Sequence, residues 1–190
     1  PYSYHSGNTG NYASNLVATY NSIDGKSLGE RNPRGLQDDF VKFMALAERR
    51  LTQTGSGVFG FITNNSYLDN PTYRGMRYSL LGTYDSIAIL NLHGNSKVAQ
   101  SDTNMPPDEN VFDIQQGVGI TLAHKIQHPT QGMHLSYSEL LGDREWKFKV
   151  LMCQADPSPT ELLISQTPHW LFVPVDLDLW PEYKNHWSVA

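Results

Sequence analysis

The sequence predicts an α/β fold with parallel strands, and the stretch 57–92 carries this prediction. Its order is strand, polar elbow, helix, strand. Residues 58–63 form a short apolar run with little alternation, which is typical of a strand covered on both faces. Two strands joined by a helix form a right-handed crossover, the building block of parallel sheets. Because ligands of such sheets lie beyond the carboxyl ends of the strands, we expect them near 64–69 and from His93 onward.

A helix is predicted before this unit, over residues 36–51. Apolar side chains repeat there at helical spacing, and Asp38 and Asp39 in the first turn favour the helix dipole. Gly55 and Gly57 are expected to end this helix. The alternation of helix and strand therefore begins at residue 36.

The helix of the crossover is predicted over residues 71–81. Asn70 can cap its start, and Pro71 suits the first helical position because that position needs no N–H donor. Gly82 is expected to close the helix in a left-handed conformation. Residues 86–92 then supply the second strand.

The remaining segments are predicted from composition and alternation. Residues 3–34 are rich in Asn, Ser, Gly and Tyr, and we expect an exposed loop with a short helix near 13–20. A long polar segment, 94–110, precedes a strand over 118–126 that should pair antiparallel with 86–92 at one side of the sheet. That pairing would place Phe112 at the same edge as 64–69. A further strand near 133–137 and a helix over 143–152 follow.

Composition excludes several classes of protein. The chain has 190 residues, of which 39% are hydrophobic, so it can bury a core. Its net charge of −5 argues against a free-standing nucleic-acid coat, because phosphate binding requires clustered Lys and Arg. The single Cys153 excludes an internal disulfide and a cysteine metal cage, and it suits the cytoplasm. The seven histidines show no metal-ligand spacing, and no apolar run reaches the roughly 18 residues of a membrane span.

Several segments follow one another in a characteristic order. They are an initial Pro-Tyr, GLQDDFVKFMALAERRL, GVFGFITNNSYLD, YRGMRYSLL, NVFDIQQGVGITL, LLGDREWKFKVL and PHWLFVPVDLDLWPEYKNHWSV. In this order they resemble adenine-specific, S-adenosyl-L-methionine-dependent DNA methyltransferases whose target-recognition domain follows the catalytic domain. The resemblance extends through nearly the whole chain and is to the large single-polypeptide (type ISP) restriction-modification enzymes of bacteria. It implies a partial Rossmann-like methyltransferase sheet, with parallel strands and an antiparallel pair at one edge.

The resemblance implies catalytic roles for Pro1 and Tyr2. The active-site motif of the family is Asn-Pro-Pro-Tyr, and this chain begins at its third residue. In the family the motif holds the amino group of an adenine rotated out of the duplex, and its aromatic ring stacks on that base. Such stacking contributes about 1–3 kcal/mol per base. Tyr2 is therefore the predicted stacking residue, and Pro1 is predicted to lie beside the base and the cofactor. The alternative is a Pro-Tyr dipeptide in a disordered terminus.

Three further residues match family positions, and each has a structural alternative. Phe112 matches a second aromatic residue against the flipped base, or it is a core Phe beside a strand. Phe40 matches a helix residue that packs on the adenine ring of the cofactor, and it also lies on the apolar stripe, so both roles can hold. Asn64 ends a strand at the substrate edge, where it binds the base or caps a turn. No metal ligands are predicted.

The departures from the family imply that the chain is a fragment. The glycine-bearing cofactor loop and the first half of the motif do not occur in it. We therefore expect residues 1–130 to form the second half of a catalytic domain and residues 131–190 to connect it to a recognition domain. Alone it should be inactive, and it should associate with itself or with the missing N-terminal half, while DNA is the partner of the intact enzyme. Two alternatives stay open: a non-catalytic protein-interaction or DNA-contact module with this fold, and an unrelated α/β enzyme, for example one that methylates small molecules or protein.

Overall fold

The computed structural model describes residues 10–29, 33–96, 107–128, 132–153, 160–161 and 169–176. Pro1 and Tyr2 lie outside these residues. The chain begins with helix α1 (Asn11–Ala18), the short strands β1 (Ser22–Ile23) and β2 (Lys26–Ser27), and helix α2 (Asp39–Thr54). These are followed by β3 (Gly57–Asn64), α3 (Arg74–Thr83), β4 (Ser86–His93), β5 (Val118–Lys125), β6 (His134–Glu139), α4 (Arg144–Met152) and β7 (Thr160–Glu161).

The larger sheet is mixed, with the strand order β3-β5-β4-β6-β7. Strand β5 runs antiparallel to both β3 and β4, whereas β4 and β6 are parallel and β7 is antiparallel to β6. The predicted antiparallel pairing of the second and third long strands is confirmed. The prediction that this pair lies at one side of the sheet is wrong, because β5 lies between β3 and β4. In that position both of its edges find hydrogen-bond partners.

The helices predicted over 36–51 and 71–81 are confirmed as α2 and α3, with small changes at their ends. Gly55 ends α2 with a left-handed φ of 79°. The side chain of Asn70 accepts a hydrogen bond from the N–H of Thr72 at 2.9 Å, and a 3-10 turn leads from there into α3. The expected left-handed closure at Gly82 is wrong. Helix α3 continues to Thr83, whose carbonyl accepts a hydrogen bond from Lys125 Nζ at 2.9 Å, so that carbonyl is satisfied without a left-handed turn.

The main core lies between α1, α2, α3 and one face of the sheet. The short helix predicted near 13–20 is confirmed by α1, but the exposure expected for residues 3–34 is wrong over that helix. Helix α1 and the 3-10 turn after it place four residues on one buried face. These residues are Ala13, Leu16, Val17 and Tyr20. Their helical spacing is present in the sequence, but the many polar residues around them made the burial of this face hard to predict. Strand β6 belongs to the same sheet, and Phe172 of the C-terminal part lies in the same core. The predicted division near residue 130 stays a prediction.

The opposite face of the sheet is only partly covered, so the prediction that 58–63 is covered on both faces is wrong. Helix α4 packs over the end of this face near Leu90 and Ile120. At the other end, Val58 is 79% exposed and Leu122 is 55% exposed. Strand β3 also forms the edge of the sheet among the described residues. An uncovered apolar face next to an open edge is a surface to which another chain can bind.

A buried lysine holds α4 against the sheet and the loop before β5. Lys147 Nζ donates hydrogen bonds to Leu92 O at 2.7 Å, to Asp108 Oδ1 at 2.6 Å and to Glu109 O at 2.6 Å. Asp108 in turn accepts a hydrogen bond from Gly94 N at 2.6 Å. The end of β4 and the segment 107–117 are therefore joined through one fully buried cation. No helix of the described part is long and apolar enough to cross a membrane.

The open sheet edge predicts self-association of the 190-residue chain. Ile62 lies on the uncovered face of β3 and is 47% exposed. We expect Ile62→Lys to shift the chain towards monomer, because a charge on an edge strand opposes strand pairing. Gln53→Lys adds the same charge on exposed helix surface and is the matched control. Light scattering over a concentration series measures the effect, and a wild-type chain that stays monomeric throughout would contradict it.

Replacement of the buried Lys147 by an uncharged residue should lower the free energy of unfolding strongly. Lys147→Met removes the cation and leaves Asp108 and two carbonyls without their donor. Breaking a buried pair in this way lowers the free energy of unfolding by about 3–5 kcal/mol. Lys149 is exposed on the same helix, and Lys149→Met should change stability by less than about 0.5 kcal/mol. Urea unfolding measures both, and equal effects of the two substitutions would show that the buried contacts contribute nothing.

Candidate functional site

A cavity of about 220 Å³ lies beyond the carboxyl ends of β3 and β4, at the edge where the sequence predicted a ligand. The loop after β3, the start of the α3 segment, the turn at the end of β4 and the residues before β5 form its walls. Its lining residues are Gly35, Asn64, Asn65, Ser66, Asn70, Thr72, Tyr73, Asn95, Gln116 and Gly117.

The cavity is polar but carries no charge on its described walls. Five of its lining side chains are carboxamides and three are hydroxyls. Carboxamides offer both donors and acceptors, whereas a buried ion would lack a counter-charge here. None of these groups titrates near pH 7. The walls therefore suit a neutral, planar ligand with hydrogen-bonding edges, and they favour binding over acid–base chemistry.

The loop after β3 has a rigid local structure. Asn64 is 8% exposed, and its Oδ1 accepts a hydrogen bond from Ser66 N at 3.0 Å, which closes a tight Asx turn. The structure therefore shows Asn64 both as a turn-capping residue and as part of the cavity wall. Asn64 can therefore cap the turn and contact a ligand at the same time.

A buried arginine anchors the same loop from below. Arg77 on α3 is fully buried, and it donates hydrogen bonds to Tyr67 O at 2.6 Å, to Asn70 O at 2.9 Å and to His169 O at 3.0 Å. Burial lowers the pKa of Arg77 to about 10, so it stays charged at neutral pH. Tyr67 adds a second anchor, because its hydroxyl is hydrogen-bonded to Thr121 of β5. The sequence analysis did not predict the contacts of Arg77 with the loop.

A chain of side-chain hydrogen bonds runs across the carboxyl edge of the sheet. Asn65 Nδ2 donates to Asn91 Oδ1 at 2.9 Å, and Asn91 Nδ2 donates to the Tyr137 hydroxyl at 3.0 Å. The Tyr137 hydroxyl donates to Glu139 Oε2 at 2.9 Å, and His93 Nε2 lies 2.9 Å from the same oxygen. Burial raises the pKa of Tyr137, so its hydroxyl keeps its proton as a donor. Sequence reasoning missed this chain, since its members come from three different segments.

The structure confirms that Phe112 lies at the same edge as the loop after β3. Its segment leads directly into β5, whose first residue pairs with Asn64. Phe112 is 46% exposed and is therefore not a core residue. Its N–H donates to Asn110 Oδ1 at 2.9 Å, and its carbonyl accepts from Arg144 Nη2 at 3.2 Å. These hydrogen bonds fix the backbone of Phe112, whereas its exposed side chain is not among the residues that line the cavity.

Phe40 lies inside the core rather than at the surface. It is fully buried, and its ring contacts Tyr67 and Tyr73 at centroid distances of 6.1 and 5.8 Å. It therefore reaches the cavity only through Tyr73, which lines the wall. Contact between Phe40 and S-adenosyl-L-methionine stays a prediction. The described residues contain no group of three His, Cys, Asp or Glu side chains that could hold a metal ion.

No protein-family model and no curated protein sequence matches the chain. Solved structures do match it. The ATP-dependent type ISP restriction-modification enzyme LlaBIII, bound to DNA, is 25% identical with a TM-score of 0.70, over 91% of this chain and 12% of the enzyme. A nuclease-deletion mutant of the type ISP enzyme LlaGI, in complex with a DNA substrate mimic, is 21% identical with a TM-score of 0.71, over 95% of this chain and 18% of that one.

A third solved structure, the DrdV–DNA complex, is 21% identical with a TM-score of 0.66, over 87% of this chain and 16% of DrdV. The chain thus spans less than a fifth of the length of each of these proteins. Its fold is similar to a small part of type ISP restriction-modification enzymes.

Proposed function

We propose that the chain is part of an adenine-specific DNA methyltransferase of a restriction-modification enzyme, and that its cavity receives the target base. The observation that carries this proposal is an uncharged, carboxamide-lined cavity at the carboxyl edge of an α/β sheet. The similarity to part of enzymes whose solved structures contain DNA or a DNA mimic supports it. Chemistry on a base requires that the base leave the duplex, and such a cavity offers the base new hydrogen-bond partners.

Each part of the site has a distinct task in this proposal. The carboxamides bind the polar edge of the adenine, and Phe112, from the same edge of the sheet, supplies an exposed aromatic ring to contact the base. Tyr2 supplies the second ring and Pro1 its neighbouring backbone, as the resemblance implies. S-adenosyl-L-methionine supplies the methyl group for the exocyclic amine. The described residues orient the base and exclude water, and the cofactor site belongs to the part of the sheet that would pair with the open edge of β3.

The net charge of the chain indicates that other parts of the larger enzyme bind the DNA phosphates. The chain carries a net charge of −5, so it repels the phosphate backbone rather than attracting it. Most phosphate contacts must therefore come from other parts of the protein. The Rossmann-like methyltransferase sheet, the fragment character of the chain and the connector role of residues 131–190 belong to this same proposal.

A non-catalytic interaction module is the second candidate function. The observation in its favour is the uncovered apolar face with Val58 and Leu122. Such a face suits protein contact and not base binding. The two candidates differ in their use of Phe112, because only the methyltransferase requires its ring.

Methyl transfer by the full-length enzyme is expected to depend on the Phe112 ring. Stacking of a base on an aromatic ring contributes about 1–3 kcal/mol, so Phe112→Ala should lower kcat/KM about 5- to 150-fold. Phe148 on α4 has the same exposure of 46%, and Phe148→Ala is the matched control with unchanged activity. Incorporation of tritium from labelled S-adenosyl-L-methionine into duplex DNA measures both.

Two results of this experiment would contradict the proposal. One is equal activity of the Phe112→Ala enzyme and the wild type, which would remove the ring from the site. The other is robust methyl incorporation by the 190-residue chain alone, which would show that no further part of a catalytic domain is needed.

A further inference from the structure

The carboxamide of Asn65 has only one possible orientation. Asn91 Oδ1 accepts a hydrogen bond from the backbone N–H of His93 at 3.1 Å, and a backbone N–H can only donate. The atom of Asn91 at this position is therefore its oxygen. Because Asn65 lies 2.9 Å from the same oxygen, the contacting atom of Asn65 must be its nitrogen. The Asn65 oxygen then points away from Asn91.

The far end of this series of hydrogen bonds, at Tyr137 and Glu139, prevents a concerted flip of the Asn65 and Asn91 amides. Asn91 Nδ2 donates to the Tyr137 hydroxyl, and that hydroxyl donates to a Glu139 carboxylate oxygen, which can only accept. A flipped Asn91 would present its oxygen to Tyr137 and its nitrogen to the His93 N–H. That arrangement places two donors against each other and leaves one buried group without a partner. Because Glu139 can only accept, each residue of the series donates to the next, from Asn65 through Asn91 and Tyr137 to Glu139.

On its other side, the Asn65 amide lies close to the backbone of Gly117. A Cβ added at Gly117 would lie 2.7 Å from both Nδ2 and Oδ1 of Asn65, closer than real contacts allow. Gly117 O also accepts a hydrogen bond from Asn65 N at 3.0 Å. At Gly119, two residues further on, an added Cβ would lie 3.7 Å from Asn65 Cβ, an ordinary contact. The glycine at 117 therefore serves close approach to the amide.

We propose that Asn65 is the specificity-determining residue of the cavity and accepts a hydrogen bond from the exocyclic amine of the base. Asn65 lines the cavity, and no described residue donates a hydrogen bond to its Oδ1. A fixed acceptor selects a base with an amino group over one with a hydrogen or a carbonyl oxygen at the same position. This inference rests on the proposed function, since it assumes that the cavity takes a base.

Nucleoside binding to the ¹⁵N-labelled 190-residue chain tests the inference. The probes are adenosine, purine riboside, which lacks the amine, and inosine, which carries an oxygen in its place. Backbone and side-chain amide shifts of residues 64–66 and 116–117 report on the cavity itself. This localisation matters because adenosine is also part of the proposed cofactor. We expect adenosine to bind about tenfold more tightly than purine riboside, as one neutral hydrogen bond allows, with inosine no better than purine riboside.

Three variants connect this preference to Asn65. Asn65→Leu keeps the approximate size but removes the acceptor, and the adenosine preference should fall to about onefold. Gly117→Ala displaces the amide and should lower the preference, whereas Gly119→Ala should leave it unchanged. The glycine pair keeps the test decisive if the leucine variant fails to fold, because each differs from wild type by one methyl group.

The outcomes separate the two levels of the proposal. Equal binding of adenosine and purine riboside at the cavity overturns the role of Asn65, as does a preference that survives both Asn65→Leu and Gly117→Ala. If none of the three nucleosides shifts the cavity amides, the cavity is not a base site, and the proposed function fails together with the inference.

Discussion

The position of strand β5 between β3 and β4 is the constraint on which the site depends. Because β5 runs antiparallel to both neighbours, its preceding segment must pass over their carboxyl ends. Gln116 and Gly117 are thereby placed against the loop after β3, and the space between these two segments is the cavity. The backbone bond from Asn65 N to Gly117 O joins them directly. Pairing β5 at the outer edge of β4 would leave the two segments apart.

Buried cations maintain the loops at this edge. Arg77 fixes the loop after β3, and Lys147 fixes the segment before β5. Both are fully buried, and most of their partners are backbone carbonyls. Desolvation of a buried cation costs free energy, and its hydrogen bonds roughly offset this cost. A buried cation with its partners therefore stabilises the fold no more than apolar residues of similar volume would. The contribution of Arg77 and Lys147 here is to hold two irregular segments in single conformations, which a cavity with defined hydrogen-bond directions requires.

The sequence predicted the elements well where local signals were strong. The spacing of apolar residues in α2, the Asn70-Pro71 start and the Gly55 stop all have local causes, and the structure confirms them. The strand order was mispredicted because the choice between an edge and a central position for β5 depends on long-range pairing, which leaves no periodic trace. The exposure of Val58 was missed for a related reason, since an apolar strand has the same composition whether its second face is covered by its own chain or by another.

The site was predictable by location and only partly by residue. The rule that ligands lie beyond the carboxyl ends of parallel strands identified 64–69, whereas the role that the family resemblance implies for Phe112 stays a prediction. Asn65 stood within the predicted loop, but its role depends on Asn91, Tyr137 and Gly117, which are distant in the sequence. Arg77 and Lys147 resemble ordinary helix residues in sequence, and only their burial distinguishes them.

A crystal structure of the chain soaked with adenosine would show whether the carboxyl-edge cavity is a preformed base site. We expect the purine ring between the loop 64–66 and residues 116–117, with its amine within hydrogen-bond distance of Asn65 Oδ1 and both loops unmoved. A purine bound elsewhere with the cavity vacant, or a cavity that closes when the crystal is soaked, would contradict this expectation.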